Sequence, residues 1–188
     1  AAERPVKTFS YIVNEGHSLG VISLSADPYY LWSDERGIYA DGPGWTEVFP
    51  HRGANFWKDW EISGHVSFFE EDGGFSEDCG IKIFGNWGRG LPQKSFTVKF
   101  KEKYGLPELH YPLFENYDVT CYNSFILRSG SQDQSVAKIR DEFFTSLSKA
   151  GMDSIYVQQY KPCVVYLNGE YWGHYNLRER VNKWFIAQ

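Results

Sequence analysis

From Lys94 onward the chain alternates strictly, with Phe96, Val98 and Phe100 on one side and Ser95, Thr97, Lys99 and Lys101 on the other. That period of two predicts a half-buried strand. Lys94 shares the parity of the phenylalanines, so it enters the strand pointing toward the apolar side. An inward lysine must snorkel to water, find a carboxylate or meet an anionic ligand. Further strands are predicted within Tyr11–Leu24 (interrupted by a turn at 14–17), at His65–Phe69, at Cys79–Gly85 and at Asn123–Arg128. The turn Glu71-Asp72-Gly73-Gly74 joins the second and third of these. Tyr160–Leu167 and Glu170–Leu177 flank Asn168-Gly169, a pair that tolerates positive φ at both positions and so predicts a type I′ hairpin.

Helical spacing shows in Val136, Ile139, Phe143, Phe144 and Leu147, with Asp133 or Ser135 able to cap the start and Gly151 the end. The pattern predicts that this apolar face is buried. Arg140 lies near its middle, so it is expected inside against a carboxylate, with Asp141 facing out and Glu142 on the flank. Asp27-Pro28 starts a turn, and Leu31–Tyr39 reads as a helical turn followed by a brief strand. The loop Gly42–Gly53 is expected to be pinned by Trp45 and Phe49. Val181, Trp184 and Phe185 begin a second amphipathic helix close to Gln188, as expected for part of a longer domain.

Before Lys94 lies Gly85-Asn86-Trp87-Gly88-Arg89-Gly90-Leu91. Gly85, Gly88 and Gly90 let the backbone bend toward a ligand, and Arg89 offers a planar fork to phosphate or carboxylate. An ordinary turn with Lys94 escaping to solvent is the alternative.

Composition narrows the picture. A chain of 188 residues, 42% hydrophobic and 23% charged, is a folded protein of single-domain size. No apolar run reaches the roughly 20 residues that span a bilayer. A net charge of -5 without a basic block argues against nucleic acid as the main partner. Cys79, Cys121 and Cys163 are far apart and give neither metal-ligand spacing nor a disulfide framework. His17, His51, His65, His110 and His174 are likewise scattered, so no metal ligands are assigned. The acidic turn around Glu70–Asp78 matches no calcium-loop code, and no serine sits in a nucleophile elbow. Aromatic residues make up 18% of the chain, and an excess beyond the core would supply stacking platforms for sugars.

Several ordered blocks carry a resemblance. They include Gly37-Ile38-Tyr39, Ala54-Asn55-Phe56, Gly80-Ile81-Lys82-Ile83, Pro92-Gln93-Lys94-Ser95, Tyr111-Pro112-Leu113-Phe114, Leu127-Arg128-Ser129-Gly130, Arg140-Asp141, Tyr166–Gly173 and Asn176–Arg180. From about residue 20 onward the chain resembles the CotH family, the spore-coat proteins and relatives described as atypical secreted protein kinases. Phe84 and Gly88 depart from the histidine and serine common there, and nothing matches the family's catalytic metal-binding aspartates.

The resemblance implies an α+β fold: a mainly antiparallel sheet with one packed helix, like an atypical kinase small lobe. Residues 1–62 would be a β-rich extension, and 63–188 the lobe and the start of the inter-lobe linker. It implies ATP and Mg2+ as cofactors, not retained by this fragment, which without the aspartates is expected to be inactive, and a protein substrate presenting Ser or Thr hydroxyls. It also implies an extracellular, spore-coat or cell-surface location. Lys94, Arg89, Gly85, Gly88 and Gly90 would bind the nucleotide, with Glu142 or Glu179 as the partner of Lys94. The competing class is a non-catalytic surface module that binds polysaccharide through exposed members of Trp45, Trp57, Trp87 and Trp172.

Overall fold

The computed structural model describes residues 8–151 and 156–186. Its strands are β1 (Gly20–Ala26), β2 (Ile62–Glu70), β3 (Gly73–Phe84), β4 (Ser95–Lys99), β5 (Leu109–His110), β6 (Cys121–Tyr122), β7 (Ser124–Arg128), β8 (Tyr160–Leu167) and β9 (Glu170–Glu179). β5 and β6 form a separate ribbon, and the other seven close into a barrel in the order β1-β2-β3-β4-β7-β9-β8. Neighbours are antiparallel except at the seam, where β1 runs parallel to β8 from Gly20 opposite Cys163 to Leu24 opposite Leu167.

This corrects the expected fold class. The molecule is a mainly β, closed, mixed barrel and not an α+β sheet with a packed helix in the manner of a kinase small lobe. Strand β1 explains the closure. Val21, Ile22, Ser23 and Leu24 are buried in succession, so the strand is covered on both faces, and both of its edges are paired. Ile22 and Leu24 point into the barrel core, while Val21 joins Val164 and Tyr166 in a small outer cluster that Ile12 and Phe69 cover. Tyr11 to Ser18, expected to begin a strand, form none.

The interior is filled by side chains, as a small barrel requires: Phe68, Ile81, Phe96, Val98, Phe125, Leu127, Tyr175 and Leu177 are all buried. After Lys94, β4 sends Phe96 and Val98 into the core, but Ser95 and Thr97 on its other side are buried too, so the strand is covered on both faces and not half-buried. Asn168 and Gly169 have φ of 50° and 86°, the left-handed pair that the β8–β9 turn needs.

Residues 27–61 cover one mouth of the barrel. Helix α1 (Pro28–Trp32) starts on Asp27, whose Oδ1 accepts the Tyr29 N–H at 2.9 Å, with proline in the first turn. Leu31, Ile38, Ala54 and Phe56 bury under this cap, whereas Trp45 and Phe49 do not pin it and are half-exposed. Where the cap meets the wall, Glu61 accepts from Lys99 Nζ at 2.8 Å, Lys101 Nζ at 2.6 Å and Tyr104 Oη at 2.9 Å. Burial alone would raise the Glu61 pKa, but Lys101, Lys99 and Tyr104 outweigh it and hold the carboxyl far below the usual range. Phe100, Leu109, Leu113 and Phe114 fill the other mouth.

Helix α2 (Arg140–Gly151) lies against the outside of the barrel, with its Arg140 N–H capped by Asp133 Oδ2 at 3.0 Å. Its rotation is opposite to expectation. Ile139, Phe143, Phe144 and Leu147 are all more than half exposed, and the helix turns Asp141, Glu142 and Thr145 toward the wall. Arg140, expected inside, is exposed and pairs with Asp133 at 3.1 Å. The wall explains this: β7 and β9 present Arg128 and Arg178 there, and half-desolvated cations recruit carboxylates before phenylalanine rings. The last element, α3 (Lys183–Ile186), is a single turn.

Candidate functional site

The sequence pointed first to Lys94, and the barrel does aim it inward. The residue is only 5% exposed, and its Nζ donates to the Leu91 carbonyl at 2.9 Å. The ammonium lies over the ring of Phe56 at 4.1 Å and that of Tyr39 at 4.9 Å, both supplied by the cap. Burial pushes its pKa down to about 8, and Asp41 opposes the shift. Tyr39 completes the enclosure: its hydroxyl donates to the Pro92 carbonyl at 2.7 Å and accepts the Lys94 N–H at 2.9 Å and Trp172 Nε1 at 3.1 Å. An anion could reach this ammonium only if the cap moved.

Neither proposed carboxylate meets Lys94. Glu142 lies on the outer surface of the wall. Glu179 sits at the other mouth, about four strand residues or roughly 13 Å along the barrel, where Tyr117 Oη and the Gln159 N–H each donate to it at 2.8 Å. Burial raises its pKa.

The glycine loop is similarly committed. Arg89 donates from Nε to the Gly85 carbonyl at 2.6 Å and from Nη1 to the Phe56 carbonyl at 2.8 Å, tying the loop to the cap. Gly85 has φ of 102°. A Cβ on Gly88 would meet Ser131 Oγ at 2.5 Å, and one on Gly90 would meet the Pro50 carbonyl at 2.9 Å. Close approach of neighbouring chain accounts for these two glycines.

A different set of side chains converges under α2. Arg128 leaves β7 and Arg178 leaves β9 on the outward face, one strand apart. Arg128 Nη2 is paired with Asp141, while Arg178 Nη1 lies 3.6 Å from both Asp141 Oδ2 and Glu142 Oε1. That distance suits Coulombic attraction but is too long for a hydrogen bond. Arg128 Nε, Arg178 Nε and Glu142 Oε1 are buried without a hydrogen-bond partner among the described residues. The two arginines line a cleft of about 370 Å3, together with Asp141, Phe84, Ile126, Phe144, Thr145 and Gln158. Burial lowers the Arg178 pKa, and Glu142 counters that shift.

The sequence profile of the CotH kinase protein family matches residues 81–188, more than half of the chain. The chain belongs to the CotH family. No curated protein matches it significantly. The CotH match begins at Ile81, later than the resemblance read from residue 20, and it takes in every residue of the cleft. Three of the family-like blocks, Leu127-Arg128, Arg140-Asp141 and Leu177-Arg178, meet there. The blocks by themselves give Arg128 and Arg178 no role, because their meeting depends on β7 and β9 being neighbours.

Proposed function

We propose that this CotH chain holds the phosphates of a nucleoside triphosphate in the cleft under α2, as the nucleotide-binding part of an ATP-dependent protein kinase acting on Ser or Thr hydroxyls outside the cell or on a spore or cell surface. The supporting observation is the pair of buried, unpartnered Nε–H donors of Arg128 and Arg178 at one cavity. An unsatisfied buried donor costs about 1–3 kcal/mol, and phosphate oxygens match a guanidinium fork in both charge and geometry. Asp141 and Glu142 hold the two forks in place, and Phe84, Ile126 and Phe144 offer apolar surface for a base. The cleft's size lies within the range of small-molecule sites. These donors fit ATP. They do not fit Mg2+, because both carboxylates are turned to arginines. The kinase description of the family favours this reading over other anions, and the spore-coat association of CotH proteins favours the surface location. Among the described residues no helix is long and apolar enough to cross a membrane.

Titration with a fluorescent ATP analogue tests the site. Arg128→Ala and Arg178→Lys should each weaken binding about tenfold or more, the loss of one charge-assisted contact. Inorganic triphosphate should compete. Unchanged affinity in Arg128→Ala, with the fold intact by circular dichroism, would remove the cleft from consideration.

A second reading rests on another face. Trp45 (42% exposed), Phe49 (44%) and Trp87 (46%) form a chain of rings through His51. Trp45 stacks on His51 at 5.3 Å, and Phe49 meets His51 at 5.6 Å and Trp87 at 5.7 Å. Trp87 is therefore not isolated, and this patch suits the stacking of sugar rings in a polysaccharide-binding module. Affinity electrophoresis through cellulose, xylan and chitin derivatives is the check. Retardation by one polymer, lost in Trp87→Ala, would place this reading first, and migration unaffected by all three would eliminate it.

A further inference from the structure

The ribbon β5–β6 brings together three residues that lie apart in sequence. Its register sets His110 opposite Cys121. Leu109 and Tyr122, the other cross-strand pair, are buried in the barrel mouth, so strand alternation turns His110 and Cys121 to the outer face. Cys121 Sγ lies 3.0 Å from His110 Nδ1, and Glu108 Oε1 lies 3.3 Å from His110 Nε2. One ligand atom from each of Glu108, His110 and Cys121 can be chosen so that all three are within 4.8 Å of one another.

We propose that Glu108, His110 and Cys121 form a binding site for a borderline-soft divalent transition metal of the Zn2+ class. Around a tetrahedral ion with bonds of about 2.0–2.3 Å, ligand atoms stand roughly 3.3–3.8 Å apart. The trio already stands within 4.8 Å, so binding would ask only for a small contraction of exposed side chains on a backbone that the ribbon fixes for two members. The donor set selects the ion. A thiolate with an imidazole favours Zn2+ or Co2+ over Mg2+ or Ca2+, which take oxygen. Thiolate and carboxylate together carry the charge that neutralises a divalent ion, and three protein ligands leave a fourth position for water. The site lies on the ribbon at the barrel mouth, separate from the arginine cleft, and does not depend on nucleotide binding.

The protein contains its own reporter. Cys79 and Cys163 are fully buried, and burial raises both thiol pKa values, that of Cys163 to about 12. Cys121 is exposed, so alkylation of the native protein reads Cys121. After chelator treatment, one equivalent of Zn2+ should slow iodoacetamide modification at least tenfold. Co2+ should give a sulfur-to-metal absorption band in the near ultraviolet, with visible bands of tetrahedral intensity. His110→Ala and Glu108→Gln should each raise the Zn2+ concentration needed for protection by tenfold or more, and Cys121→Ser should abolish the near-ultraviolet band. An alkylation rate unchanged at tenfold excess Zn2+ would overturn the proposal, leaving a hydrogen-bonded thiol and imidazole. Protection retained in full by His110→Ala would overturn it as well.

Discussion

Arg178→Ala is expected to destabilise the protein by about 3–5 kcal/mol, the cost of stranding a buried charge. Both side chains of the Arg178–Glu142 pair are sealed between α2 and the wall, exposed by 9% and 6%. Arg128 cannot take over the stranded Glu142, because it is already held by Asp141. For a chain of this size the loss corresponds to a melting-temperature drop of roughly 6–20 °C. The double variant Arg178→Met/Glu142→Leu should recover most of it, since removing both charges removes the desolvation penalty with the attraction. Urea unfolding of the wild type, the two single variants and the double variant gives the coupling directly. A single-variant cost below about 1 kcal/mol would mean that water reaches the pair.

Lys94→Met should produce the opposite sign, and its size should depend on pH. The lysine pKa falls from 10.5 to about 8 on folding. Below pH 8 both folded and unfolded chains carry the proton, and the folded state bears the full cost of a buried ammonium. Between 8 and 10.5 the folded protein releases the proton while the unfolded chain keeps it, so wild-type stability rises with pH. Above 10.5 neither form is charged. The gap between Lys94→Met and wild type should therefore shrink by roughly 3 kcal/mol from pH 7 to pH 10.5. The variant should be at least as stable as wild type at pH 7, after losing the bond to Leu91 and the two ring contacts. Tyr39, with its pKa pushed up to about 12 by burial, is present in both proteins and cancels in the comparison. A difference that stays flat with pH would show that the ammonium is solvated. ATP affinity should not change in Lys94→Met, which separates this enclosed lysine from the arginine cleft.

Local rules made some of the structure legible. Alternation placed Phe96 and Val98 inside and Lys94 with them, and Asn168-Gly169 fixed the β8–β9 turn. The surroundings of Lys94 were not readable, because Tyr39 and Phe56 come from a cap far away in sequence. The rotation of α2 is not fixed by its own sequence, for a related reason. Helical periodicity marks which positions share a face, but the surface that face meets decides whether it is buried, and here that surface carries Arg128 and Arg178. Closure was invisible, since a parallel seam between β1 and β8 leaves no turn or spacing signature in the chain. The trio Glu108, His110 and Cys121 escaped for the same reason, as its members meet through ribbon register and not through ligand spacing.

The parallel seam also governs the order in which the molecule can be completed during synthesis. Strand β1 can pair with β2 soon after both emerge, yet its second edge waits for β8, with Gly20 joined to Cys163. At about 5–20 residues per second, that delay is roughly 5–20 s on the ribosome. Throughout it, a strand that is buried on both faces in the finished barrel has an edge unpaired, the arrangement that recruits a stray strand from another chain. Nascent chains stalled before β8 should therefore depend on chaperones far more than the released protein does.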